Sequence, residues 1–137
     1  MATDFLDRSD AIEECYEFML AYAGQGVPGE AGEDGSQIHR FLDRAATALD
    51  GLVESCSGAL TQAGVDSLDK YQRFLAVLDR DSRSSLAAIE MVLAQPVISS
   101  QLIDNLNASI HLRALLTDLF LISEIISARD RVTSGAK

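Results

Sequence analysis

Tryptophan is absent from this 137-residue chain, and cysteine, histidine and proline occur only twice each. So few sulfur and imidazole groups exclude a disulfide-built scaffold and leave too few ligands at usable spacing for structural zinc. Cys15 and Cys56 each fall within a helical apolar stripe, where free cysteine behaves as a small hydrophobe, so two buried thiols are expected. Long apolar runs are also missing. The longest charge-free stretch, Met91 to Ile103, spans 13 residues and contains Pro96, too short to cross a bilayer. Positive charge is scarce: 11 Lys and Arg stand against 21 Asp and Glu, for a net charge of −10. That balance excludes the basic footprint of a nucleic-acid binder and disfavours an anionic membrane surface. The opening residues, Met1 to Arg8, lack the basic and apolar regions of a secretory signal, and a cytoplasmic location is expected.

Catalytic signatures are missing too. The chain has no GxxxxGK[ST], GxGxxG or GxSxG motif, and no Glu is followed by His three residues later, as helical di-metal sites require. His39 and His111 lack the Lys-Gly pair that follows the histidine of phosphotransfer bundles. No cofactor, no metal and no catalytic residue is therefore assigned, and an enzyme is not expected.

What remains is helical periodicity, without any period-two strand pattern. The spacing predicts an all-α fold, an antiparallel four-helix bundle forming one domain over residues 1–128 with a frayed tail at 129–137. A short first helix is expected from Asp10, where Asp10-Ala-Ile-Glu13 has the form of a capping box, to Ala23. Its apolar face is Ile12, Cys15, Met19 and Tyr22. A glycine-rich loop follows over 24–35, holding five of the nine glycines and Pro28. Helix 2 starts at Ser36 and runs to about Gln62, with Gly64 ending it. It carries a stripe of small residues, Ala48, Gly51, Ser55 and Gly58, read either as a close helix contact or as a weak helix. Helix 3 runs from Asp66 to about Gln95, with a bend expected in the polar stretch 79–85. Ser99 or Ser100 caps helix 4, which runs to about Ala128.

Helix 4 changes its apolar face. Leu102, Ile103, Leu106 and Ile110 share one side, whereas Leu112, Leu115, Leu116, Leu119, Ile122 and Ile126 lie nearly opposite, with Leu121 and Ile125 on a further side. Three accounts fit the pattern. The helix kinks near Asn105–Ser109, or it serves two partners at once, or Arg113, Thr117 and Glu124 turn inward as a polar ligand cluster. A helix apolar all round is buried all round. The second account is therefore favoured: a homodimer whose interface is Leu112, Leu115, Leu116, Leu119, Ile122 and Ile126.

Charge is uneven along the chain. Residues 1–35 hold nine acids and one base, a net of −8, and the remaining residues a net of −2. On helix 1, Asp10, Glu13, Glu14 and Glu17 form one face. It is read either as a solvated surface or as a docking stripe for a basic protein, with Arg40 and Arg44 of helix 2 able to receive it. The leading expectation is a non-catalytic helical interaction protein (adaptor, chaperone-like or regulatory) that forms a homodimer. The alternatives are a ligand-binding bundle centred on Arg113, Thr117 and Glu124, and a His phosphotransfer protein.

Overall fold

The structure is a computed structural model that describes residues 2–24, 33–65 and 68–135. It is all-α: α1 (Ala2–Gly24), α2 (Glu33–Leu49), α3 (Leu52–Gln62), α4 (Leu68–Leu93), α5 (Ser100–Asn107) and α6 (Ile110–Gly135). No strand occurs among the described residues. Most of the glycine-rich loop expected over 24–35, residues 25–32, lies outside them.

The first helix is not short. It begins eight residues before the expected cap and spans 23 residues, which leaves Asp10 in mid-helix. The cause is Phe5, which is fully buried and lies seven residues before Ile12, on the same stripe. Burying a phenylalanine contributes about 2–3 kcal/mol, more than the ~1 kcal/mol of an N-cap. Small Ser9, also buried, fills the turn between them. One turn of the same helix carries Arg8 across to the end of α2. Its guanidinium donates to the carbonyls of Ala48 (3.1 Å), in the last turn of α2, and Asp50 (2.6 Å), in the turn that follows it.

Helix 2 of the sequence reading is two helices. The chain breaks at Asp50–Gly51, where Gly51 takes a left-handed φ of 87°. The close-contact reading of the small-residue stripe holds for its first three members, which meet α1: Arg8 donates to the Ala48 carbonyl and packs over Gly51, and the Ser55 hydroxyl donates to Asp4. The weak-helix reading fails because α3 continues to Gln62. Ala48 is buried near the end of α2, Gly51 makes the turn, and Gly58 is exposed on α3. At the far end of α3, Gly64 (φ 78°) closes the helix as expected. The amide of Gly64 donates to Thr61 and that of Val65 to Leu60, with Val65 and Leu60 both buried.

Helix α4 is continuous through 79–85. Ser82 and Ser85 stand where an apolar seam is interrupted, yet both are buried, and the Ser85 hydroxyl donates to the His111 carbonyl at 3.0 Å. Beyond Pro96, Ser99 caps α5 by accepting from the Leu102 amide at 3.1 Å. Two bonds secure the end of α1 to this region. The Tyr22 hydroxyl donates to Ile98 O (2.6 Å), and the Ser100 hydroxyl donates to Tyr22 O (2.7 Å).

The phase change of helix 4 is a break. Helix α5 ends at Asn107, and α6 starts afresh at Ile110, with the Ser109 hydroxyl accepting from the His111 amide at 3.2 Å. Each piece then turns its own apolar side inward. Helix α6 also continues to Gly135, past the expected frayed tail at 129, and Arg129 donates to Gly64 O at 3.4 Å. Cys15 and Cys56 are free and buried. Burial pushes each thiol up to about 12.

Candidate functional site

The six residues expected at a dimer interface form part of the core of the single chain. Leu112, Leu115, Leu116, Leu119, Ile122 and Ile126 are 0–6% exposed, so a second copy has no surface there to cover. Once the helix breaks at Ala108–Ser109, the later apolar stripe needs no second protomer to bury it. The opposite side of α6 is therefore the solvent side. It carries Arg113, Thr117 and Glu124, all exposed. The inward ligand cluster proposed for these three does not form: they share a face, but it points away from the core. Thr117 spends its hydroxyl on the Arg113 carbonyl (3.0 Å), and Glu124 pairs with Arg131 (3.1 Å).

That outer face is not simply polar. Ile110 is 74%, Phe120 55% and Leu121 52% exposed, a concentration of large apolar surface on one helix. Beside it, Leu121, Ile122 and Ile125 meet Tyr71, Phe74 and Lys70 of α4 in an apolar groove of about 310 Å³. The pairing of 71–74 with 121–125, and of Ser85 with His111, sets α4 and α6 antiparallel. The sequence carried a trace of this groove in the apolar Leu121 and Ile125, which fitted neither main stripe.

Midway along the same pair of helices lies a polar contact that sequence reasoning missed. Asp118 is buried on α6 beside Asp81 of α4, close enough for the two carboxyls to hydrogen-bond when one is protonated. Two carboxyl groups can bond only through a proton. Burial first, then the hydrogen bond and charge of Asp81, push the Asp118 carboxyl up to about 7, against the lowering influence of Arg80. The Oδ2 of Asp118 and the hydroxyl of Ser82, next to Asp81 in the chain, are buried without a hydrogen-bond partner among the described residues. The only signal in the sequence was one acid inside the apolar run of α6.

The acidic residues of α1 remain on one side, with Asp10, Glu14 and Glu17 exposed and Glu13 half-buried. Glu14 pairs with Arg44 of α2 at 3.3 Å, so part of the stripe is answered within the chain. Burial raises the Glu13 carboxyl, the Ser9 hydroxyl bond lowers it, and Asp10 and Glu17 raise it further. A second surface depression, about 410 Å³, lies between α1 and α2 and is lined by Asp7, Arg8, Asp43 and Arg44 among others. Its charges alternate in sign, so it selects no ion of either kind. Of the two histidines, His39 is exposed and paired with Asp43 at 3.2 Å, and His111 is exposed at the start of α6. Among the described residues no three His, Cys, Asp or Glu side chains are grouped to hold a metal, and no helix is long and apolar enough to cross a membrane. Comparison with protein families finds none that matches the chain, and neither curated proteins nor solved structures match it.

Proposed function

We propose that this chain is a non-catalytic helical interaction protein, an adaptor, chaperone-like or regulatory component, that acts as a homodimer through the outer face of α6. In this reading the six helices are four rods of an antiparallel bundle, with α2–α3 and α5–α6 each one interrupted rod. The observation that carries it is the exposure of Ile110, Phe120 and Leu121 on one side of α6, next to the groove lined by Tyr71 and Phe74. Large apolar groups gathered on one face of a folded chain are characteristic of association surfaces, where their burial contributes most of the affinity. The exposed acids Asp10 and Glu17 are a second surface, suited to steering a basic protein partner.

Light scattering tests the self-association. The wild type should run at twice the 14.8 kDa of the chain. Leu121→Asp should run as a folded monomer, because position 121 is half exposed and tolerates a charge. Leu116→Asp is the control. Position 116 is only 6% exposed, so a carboxylate there should unfold the chain instead of merely separating two copies. A wild type that stays monomeric at tens of micromolar refutes the homodimer.

A further inference from the structure

We infer that the second copy lies antiparallel along α6, about a two-fold axis at the level of Asp118 and Leu119, with Arg113 of each chain facing Glu124 of the other. This rests on the homodimer proposed above and specifies its geometry.

Spacing along α6 sets the register. Ile110, Arg113, Thr117, Phe120 and Glu124 follow one another at intervals of three, four, three and four, the seam that one helix presents to another. All five are exposed, so among the described residues no element of the chain's own fold occupies that seam. Arg113 and Glu124 bound the part of it centred on Thr117 and Phe120, eleven residues and about 16 Å apart, close to three full turns. They therefore point the same way. Their charges are opposite, and they lie equally far from the midpoint between residues 118 and 119. Turned end for end, the seam is complementary to itself: each Arg113 meets a Glu124, twice per dimer. The parallel arrangement sets arginine on arginine and glutamate on glutamate, which costs affinity. Such a two-fold contact closes on itself and stops at two copies.

Phe120 and Leu121 agree with this register, and Ile110 falls beyond the Arg113–Glu124 pair at each end. Phe120 lies just past the midpoint, so each phenylalanine covers Thr117 of the other chain near the axis, and Leu121 closes the flank beside it. Within one chain Arg113 has no ion-pair partner among the described residues. Glu124 leans on Arg131, but both groups are about 70% exposed (67% and 74%), and such a pair holds its acid weakly enough to share it.

The test uses Arg113→Glu and Glu124→Arg in the full chain, by sedimentation equilibrium. Each variant alone places like charges together at both of these contacts, and its self-association should weaken about tenfold or more. Mixed in equal amounts, the two should recover dimers to within about threefold of the wild-type affinity, because the introduced acid of one chain then faces the introduced base of the other. Both positions are exposed, and unchanged helical circular dichroism confirms that folding is intact. If the single variants associate like the wild type, or if mixing restores nothing, the antiparallel register is wrong while the dimer stands. If the wild type itself never dimerises, the homodimer reading fails as well.

Discussion

Replacing Asp118 with asparagine should remove a pH dependence that one buried carboxyl builds into the fold. In the folded chain this group titrates at about 7, against 3.8 when unperturbed. The folded state therefore binds a proton that the unfolded state has already released. Stability from this group is fully present below about pH 4 and is lost as pH rises through 7. A shift of that size corresponds to at most about 4 kcal/mol. Asp118 is buried but Asp81 is only half-buried, so solvent on the Asp81 side screens part of the interaction. The expected loss between pH 5 and pH 8 is then about 1–2 kcal/mol, or roughly 3–8 °C in Tm. The amide of the Asp118→Asn variant keeps the shape and donates to Asp81 without needing a titratable proton. The variant should therefore match the wild type at pH 5 and exceed it at pH 8. Urea denaturation of both chains at several pH values gives the difference directly, with the histidines and other carboxylates cancelling. A wild-type minus variant difference that is constant from pH 5 to 8, or that favours the wild type as pH rises, refutes the shared-proton contact.

Other substitutions probe the turns and the core. Gly51→Ala should cost about 1 kcal/mol by chemical denaturation, because φ is 87° there. The added methyl would meet the Arg8 guanidinium only at an ordinary 3.7 Å, so strain and not collision is the cause. Tyr22→Phe should cost about 1–2 kcal/mol by leaving the Ile98 carbonyl without its 2.6 Å donor; an unchanged melting temperature contradicts this. Cys15 and Cys56, held near 12 by burial, should resist thiol reagents at pH 8 and react only at the rate of unfolding. Rapid labelling of either in the native protein would show that its helix opens locally.

Periodicity carried the helical class and the burial of both cysteines, and capping chemistry the Gly64 closure and a serine cap at 99 or 100. Each depends on residues within a few positions of one another, and the energies involved are local. The acidic residues of α1 were likewise visible as a face, since a helix repeats every 3.6 residues whatever surrounds it.

The remainder depended on contacts between distant parts of the chain. The first helix extends to Ala2 because Phe5 finds a core made by other helices, which outweighs a capping box at Asp10. The second helix breaks at Gly51, and Arg8, 40 or more residues away, donates to carbonyls in its last turn and in the turn that follows. On α6 the order of residues was enough to show that apolar side chains point in several directions, but not which direction is inside. A break of two residues at Ala108–Ser109 decided that, because it lets α5 and α6 bury different faces against one core. Leu112, Leu115 and Leu116 thereby went inward, and Ile110, Arg113 and Phe120 were left on the surface, where a partner can reach them.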